Sequence, residues 1–417
     1  MVRVHFKTYG CTLNQADTDI MKGIIENAGY EIADKSDDAD VIVYNTCTVK
    51  GATENKIMEE MKEEKKPFII AGCLYVNKER ILKEIANPVV VGPYALEKIT
   101  TAIDAAIEGK SIWLDKQEEK SGIIRKITAP ILRIPIQEGC VGNCAFCQTK
   151  LARPFLRSYP AKTIRLWIEE GLKKGAREIQ MTGMDSGAYG LDINSSLIEL
   201  LNEVTKIEGD FRIRLGMINP QHVARFENEL TELIKNEKFY KFVHIPVQTG
   251  SEKVCKDMNR PHTVRDFKET VENFRKKIPD ISISTDIIVG YCGESDDEFK
   301  ETIKLIEEIK PDIVNLSKFT VRKGTKAEKL KQLPTEVIKE RSRLCSEVVK
   351  RVCEEKNKEY IGKTVDVLAL EKAKGTKGRT DNYKQVVIRQ EVDLGKRVKV
   401  KITDANHGSL FGEIVES

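Results

Sequence analysis

Residues Gly139-Cys140-Val141-Gly142-Asn143-Cys144-Ala145-Phe146-Cys147 set three cysteines in the spacing C-x3-C-x2-C. Three thiols in one short loop can wrap a single metal centre. A closed structural zinc site takes four protein ligands, and a four-iron cluster ordinarily takes four cysteines. Three leave one position open for a small molecule. The competing readings are a zinc site completed by a distant histidine and three unrelated buried cysteines. The chain has five histidines and none lies beside this loop.

The remainder of the chain has to present that loop. At 417 residues it is longer than one average domain, and two or three are expected. Apolar residues make up 40%, enough for ordinary cores. The net charge of +4 is small, so any nucleic-acid contact must come from local patches. No charged segment followed by a long apolar run opens the chain, and no apolar stretch of membrane-spanning length occurs. The expectation is a cytoplasmic protein without a membrane partner. Ten cysteines in such a chain argue for metal or redox use over disulfides.

Residues 1–108 alternate strand and helix patterns. Strands are expected at Val2–Tyr9, Val41–Tyr44, Pro67–Ala71 and Val89–Val91, with helices at Gln15–Ala28, Thr53–Lys65 and Lys78–Ala86. This order implies a doubly wound parallel sheet. Cys11, Cys47 and Cys73 each follow one of its strands. Ligands of such sheets bind outside the carboxyl ends of the strands, so these thiols are expected on one edge as a second three-cysteine metal site. Gly10 and Gly72 precede two of them and permit sharp turns. Residues 109–130 are polar and read as a linker or exposed excursion.

From residue 131 the alternation restarts, giving a second domain over 126–356. Six strands are expected, at Ile131–Gln137, Glu178–Met181, Phe211–Leu215, Phe242–Val247, Ile281–Val289 and Ile313–Phe319, with helices between them, Glu229–Asn236 among these. Six βα units suggest an open partial barrel with its site at the C-terminal strand ends, where the cysteine loop falls. Gly183 and Asp185, Arg214, and His244 to Ser251 lie on the same rim, with Asp286 inside the fifth strand. Cys255, Cys292, Cys345 and Cys353 read as core residues, Cys292 being the nearest to a strand end.

Residues 358–417 lack a long helix and carry strand patterns at Val365–Leu370, Val386–Ile388, Val398–Ile402 and Leu410–Val415, with turns expected at Gly375, Gly378, Gly395 and Gly408. A small β-barrel follows. Between 372 and 401 ten Lys and Arg face three acidic residues. Such a stripe, with Asn382 and Tyr383 interleaved, suits an RNA backbone, although charge runs are often only solvated surface.

Two cysteine triads in this order, followed by the basic module with Gly378-Arg379-Thr380-Asp381-Asn382-Tyr383, resemble the radical S-adenosylmethionine (SAM) methylthiotransferases over nearly the whole chain. Gln148-Thr149-Lys150-Leu151-Ala152-Arg153, Leu156-Arg157-Ser158-Tyr159-Pro160, Asp185–Gly190 and Arg214–Pro220 are similar to the archaeal and eukaryotic branch. The chain departs from the family pattern at Pro154, Met184 and Cys292.

The resemblance implies two [4Fe-4S] clusters, one on Cys11, Cys47 and Cys73 and one on Cys140, Cys144 and Cys147, the latter binding SAM at its open iron and cleaving it to a 5′-deoxyadenosyl radical. Phe146 stands where the family carries an aromatic residue, and Gly183, Asp185 and Arg214 become candidates for the SAM side. Lys150 and Arg153 become candidates for phosphate or for a carboxylate on the modified base; Arg379, Asn382 and Lys384 of a TRAM-type barrel become candidates for the tRNA backbone. The implied reaction is methylthiolation at C2 of N6-threonylcarbamoyladenosine beside the tRNA anticodon, through two SAM-dependent steps and with a small electron-donor protein as partner. Isopentenylated adenosine or a ribosomal-protein aspartate as substrate, and a non-catalytic iron–sulfur RNA-binding protein, stay open. So does the oligomeric state.

Overall fold

The computed structural model describes residues 1–115 and 125–415. The N-terminal domain runs β1 (Arg3–Thr8), α1 (Thr12–Asn27), β2 (Glu31–Ile32), β3 (Val41–Thr46), α2 (Gly51–Glu63), β4 (Phe68–Gly72), α3 (Lys78–Glu84), β5 (Val89–Val91), α4 (Ile99–Ile107) and β6 (Ile112–Leu114). The sheet order is β2-β1-β3-β4-β5-β6, with every pairing parallel. Val41, Val43, Ile69 and Val91 pack with residues of α1 and α4; Ile42, Tyr44, Ile70 and Val90 pack with residues of α2 and α3. Burial on both faces is why these strands are apolar without alternation. Ile112-Trp113-Leu114, within the polar stretch read as a linker, forms the edge strand β6 on β5. Three residues are too few to show a period. The middle of that stretch, 116–124, lies outside the described residues.

The central domain continues with β7 (Ile131–Pro135), β8 (Gln137–Glu138), α5 (Thr149–Ala152), β9 (Arg157–Ser158), α6 (Ala161–Lys173), β10 (Glu178–Thr182), α7 (Leu197–Thr205), β11 (Arg212–Leu215), α8 (Pro220–Lys235), β12 (Phe242–His244), α9 (Glu252–Asp257), α10 (Val264–Lys277), β13 (Ser282–Val289), α11 (Asp296–Ile309), β14 (Ile313–Lys318) and α12 (Thr335–Lys358). Strands β7, β10 and β11 form one parallel sheet and β12, β13 and β14 another. The two are joined where the Ile213 N–H donates to the Lys238 carbonyl at 2.6 Å and the Ile218 N–H to the His244 carbonyl at 2.9 Å. The result is the open six-strand barrel. Both of its edges are covered, β7 by α1 and β14 by α12, which removes exposed strand edges. Helix α8 starts nine residues earlier than expected, at Pro220, a favourable first helical residue. Phe226, at φ −146°, interrupts it and hides the helical period of its first turns.

The C-terminal module is a closed barrel in the order β15-β16-β17-β19-β18, from β15 (Thr364–Ala373), β16 (Gly375–Thr380), β17 (Gln385–Ile388), β18 (Arg397–Ala405) and β19 (Leu410–Ile414). Strand β16 was not expected, because Gly378 reads as a turn. It sits mid-strand, where a Cβ would fall 2.4 Å from the Leu368 carbonyl oxygen, so the barrel needs glycine for close backbone approach.

The β16–β17 turn docks against the N-terminal ends of the central strands. The Lys241 N–H donates to the Asp381 carbonyl at 2.8 Å, and Asn382 Nδ2 donates to the Asp280 carbonyl at 3.0 Å. Tyr383 takes a left-handed φ of +67° and packs its ring edge-on 4.8 Å from Tyr240 and tilted 4.7 Å from Phe242. Lys384 Nζ lies 2.7 Å from Asp312 Oδ1, both side chains buried.

The N-terminal and central domains meet at a second buried charge. Arg153, at the end of α5, pairs with Asp17 of α1 through one nitrogen and with Glu138 of β8 through another; all three side chains are at most 1% exposed. Gly23 of α1 rests on the backbone of Arg125 and Lys126, where a Cβ would come within 2.6 Å.

Removing one member of a buried ion pair strands the other charge and costs about 3–5 kcal/mol. Arg153→Gln is expected to lose that much, and Lys384→Met somewhat less, because Lys356 still approaches Asp312 at 3.4 Å. Chemical unfolding of each variant measures this. A Lys384→Met protein as stable as wild type but weakened toward RNA would return Lys384 to the RNA face.

Candidate functional site

The first triad is assembled by the parallel sheet. Cys11 caps α1 directly after β1, Cys47 follows β3, and Cys73 follows β4. Two buried asparagines tie these loops together. Asn14 Nδ2 donates to the Tyr9 carbonyl at 3.0 Å and the Thr46 carbonyl at 2.7 Å, while its Oδ1 lies 3.8 Å from Cys73 Sγ. Asn45 Nδ2 donates to the Asn14 carbonyl at 2.7 Å. Gly10, at φ +98°, and Gly72, at φ +84°, adopt the left-handed turns expected of them. A Cβ on Gly10 would sit 2.8 Å from Cys47 Sγ. Burial, then the neighbouring Cys73 and Cys11, push the Cys47 thiol up to about 12.

The second triad lies at the C-terminal end of the central barrel. Gly139, at φ +69°, lets the loop pass against Phe155, whose carbonyl oxygen would be 1.9 Å from a Cβ there. The Gly142 N–H donates to Cys140 Sγ at 3.1 Å, and Arg260 Nη1 donates to Cys144 Sγ at 3.1 Å. A Cβ on Gly142 would stand 3.2 Å from Cys140 Sγ and 3.9 Å from Cys144 Sγ, so both sulfurs border the same space. Burial and the nearby Asp185 push the Cys140 thiol up to about 12. Phe146 packs beneath the loop with Met258, Tyr291 and Phe319.

Segment 148–157 forms a wall between the triads. Gln148 Nε2 donates to Asn77 Oδ1 at 2.8 Å, and Tyr75 Oη donates to the Ala152 carbonyl at 3.2 Å. Lys150 Nζ donates to the Cys140 carbonyl, bracing the loop from the same wall.

Several expected contacts move. Arg153 is sealed between Asp17 and Glu138 and is not available to a phosphate. Asn382 and Lys384 are spent on docking the C-terminal barrel; Arg379 stays partly exposed, its guanidinium 4.6 Å from the Tyr383 ring centroid. Arg214 turns toward the opposite end of the barrel, over Phe242 at 5.4 Å and Tyr383 at 6.0 Å. Gly183 lies against Gln137, whose Nε2 donates to the Asp185 carbonyl at 2.6 Å. Asp185 is fully buried and acts through Asn219, whose Nδ2 donates to Asp185 Oδ2 at 2.6 Å. Burial raises the Asp185 carboxyl, but His222 and Asn219 outweigh it and hold it below the usual carboxylate range.

Arg260 was missed altogether. It joins this network, since its second nitrogen donates to Asn219 Oδ1 and, at 3.0 Å, to the Pro246 carbonyl. Its only sequence signal is a charged residue in the Asn259-Arg260-Pro261 turn on the rim. Lower in the barrel, His244 Nε2 lies 2.9 Å from Asp286 Oδ1, which also accepts from Asn315 Nδ2 at 2.8 Å.

Among the described residues, no three His, Cys, Asp or Glu side chains are gathered at the spacing of a single metal ion. The donors fit a larger iron–sulfur group. Each set is all sulfur, each borders a glycine that leaves room beside the thiols, and N–H groups of Val49, Gly142 and Arg260 already point at sulfur. Such hydrogen bonds tune cluster potentials.

Residues 3–92 match Uncharacterized protein family UPF0004, residues 134–306 the Radical SAM superfamily, and residues 358–415 the TRAM domain. A protein of Pyrococcus abyssi named "Probable threonylcarbamoyladenosine tRNA methylthiotransferase" is 39% identical over 429 residues, covering 100% of both chains. One of the same name in Archaeoglobus fulgidus is 40% identical over 426 residues and covers 99% of both. The Homo sapiens "Threonylcarbamoyladenosine tRNA methylthiotransferase" is 32% identical over 436 residues, 99% of this chain and 74% of that one. The fold is shared with the radical SAM methyltransferase TsrM of Kitasatospora setae, at a TM-score of 0.53 and 13% identity over 76% of this chain and 72% of that one. It is shared too with the cobalamin-dependent radical enzyme OxsB, at 0.53 and 11% over 85% and 56%. The chain belongs to the radical SAM methylthiotransferases, in the branch whose archaeal and eukaryotic members are named threonylcarbamoyladenosine tRNA methylthiotransferases.

Proposed function

We propose that this enzyme installs a methylthio group at C2 of N6-threonylcarbamoyladenosine beside the anticodon of tRNA, using two [4Fe-4S] clusters and two SAM-dependent steps. The observation that carries the reading is the shared wall. Segment 148–157 touches the Cys73 side through Tyr75 and Asn77 and the Cys140 side through Lys150. Two three-thiol sets on one wall suit a reaction in which sulfur delivery and hydrogen removal meet at one base. The names of the full-length relatives supply the substrate. We place the auxiliary cluster in residues 1–108, the radical chemistry in 126–356 and the RNA grip in 358–417.

C2 of adenine carries an unactivated C–H bond, beyond acid–base side chains, so a cofactor supplies the hard step: with clusters bound, one triad provides the electron that splits SAM and the other the sulfur-handling iron. The chain's own part is to position and exclude. Asp185 fixes Asn219, Asn219 accepts from Arg260, and Arg260 directs an N–H at Cys144. Tyr383 closes the far end of the barrel against Tyr240 and Phe242, so water is kept out from below. Lys372, Lys374, Lys399 and Lys401 remain exposed for phosphates. A small electron-donor protein completes the reading.

Anaerobic reconstitution with iron and sulfide, followed by SAM, a reductant and tRNA bearing threonylcarbamoyladenosine, tests this by mass analysis of the digested nucleosides. A methylthio gain on that nucleoside is expected, absent in Cys11→Ala and in Cys140→Ala, with each variant holding half the iron of wild type. Unchanged iron in Cys11→Ala would remove the second cluster. SAM cleavage with an unchanged nucleoside would remove the substrate.

Arg260→Met is expected to keep its iron and to shift the Cys140–Cys147 cluster to a more negative potential. A cation and an N–H directed at sulfur favour the reduced, more negative state. Redox titration followed by electron paramagnetic resonance reads the shift; an unmoved potential would reduce Arg260 to a structural role.

A further inference from the structure

Phe155 is 61% exposed, and no other Phe, Tyr or Trp among the described residues is exposed. A lone exposed apolar side chain is ordinary on a surface; Phe155 is set apart by its place, on the segment that touches both the Cys73 side and the Cys140 loop. Its position is rigid. The Phe155 backbone lies against Gly139, the residue before Cys140, closely enough that any side chain there would collide. Arg153, two residues earlier, is anchored by Asp17 and Glu138. The ring is therefore held outward from the wall that separates the triads.

Other exposed apolar residues flank the cysteines in the chain. Leu151 on the same wall is 42% exposed, Val141 beside Cys140 is 50% exposed, and Val49 beside Cys47 is 58% exposed. Lys50 is exposed; Lys150 and Arg157 are half-buried, Lys150 on the Cys140 carbonyl and the Arg157 guanidinium 5.6 Å from the Tyr94 ring centroid. An exposed aromatic face on a segment that also carries Lys150 and Arg157 suits an unpaired nucleobase, which stacks on such rings without regard to sequence.

Resting on the function proposed above, we propose that Phe155 is the stacking platform for an unpaired base of the RNA substrate, holding the loop so that the reacting base reaches both triads. The platform is a binding element; it takes no part in bond making.

The probe is an anticodon stem-loop RNA titrated against the iron-loaded protein. In Phe155→Trp, stacking is expected to quench the new indole's fluorescence on RNA addition. In Phe155→Ala, the dissociation constant is expected to rise about tenfold, within the range that alanine substitution of base-stacking aromatics produces, with the unfolding midpoint of wild type. Phe155→Tyr is expected to bind as wild type does. Leu166→Ala, a 55% exposed leucine on α6, serves as the control. Wild-type affinity in Phe155→Ala would overturn the proposal, even if threonylcarbamoyladenosine is modified. Weakened binding in a protein that leaves that nucleoside unmodified would uphold the platform while removing the substrate. A Phe155→Ala defect seen only with a protein electron donor, and absent with a chemical reductant and in RNA binding, would assign the ring to donor docking and overturn the base-stacking role.

Discussion

The guanidinium of Arg153 lies between Asp17 of the N-terminal domain and Glu138 of the central domain, wholly out of water. Taking three charges out of water is expensive, and an apolar contact of the same size could be as stable. What a buried charge adds is intolerance of misalignment. Asp17 sits on the helix that Cys11 caps, and Glu138 immediately precedes the Cys140 loop. A slip between the domains would strand a charge. The pairing therefore sets the relative position of the two triads, on which the two-cluster reaction proposed above depends.

The opposite end of the barrel is governed by the Thr380–Lys384 turn. Tyr383 adopts a backbone conformation that bulky residues seldom take. It is held there by Asn382 on Asp280, Lys384 on Asp312 and the ring contacts with Tyr240 and Phe242. The C-terminal barrel is thus part of the wall of the central one. Its exposed lysines keep a fixed direction relative to the cysteine loops, which a flexibly tethered RNA-binding module could not offer.

Much of the architecture was legible in the chain. Continuous apolar runs such as Val41–Tyr44 can be satisfied only by burial on both faces, which leads to a parallel sheet with helices on each side. A cysteine after each of three such strands then falls on one edge by topology alone. The short edge strand β6 and strand β16 around Gly378 were not legible, since one is too short for a period and the other carries a residue that ordinarily marks a turn. The cysteines stand out in the sequence because their spacing or placement is chemically restrictive. Arg153, Asn382 and Lys384 were misread because a cation or amide in sequence looks the same whether it faces phosphate or a buried carboxylate.

By itself the sequence determined that thiols come in two sets of three and in which order the domains follow, because thiol spacing and strand–helix periodicity are local properties of the chain. The tertiary structure alone decided which polar groups remain for a substrate. Asp17 and Arg153 are separated by 136 residues, and Arg260 and Cys144 by 116. Pairings at that range depend on how whole domains pack. They decide that Arg153 is sealed inside, that Arg260 points at sulfur, and that Phe155 is left facing water.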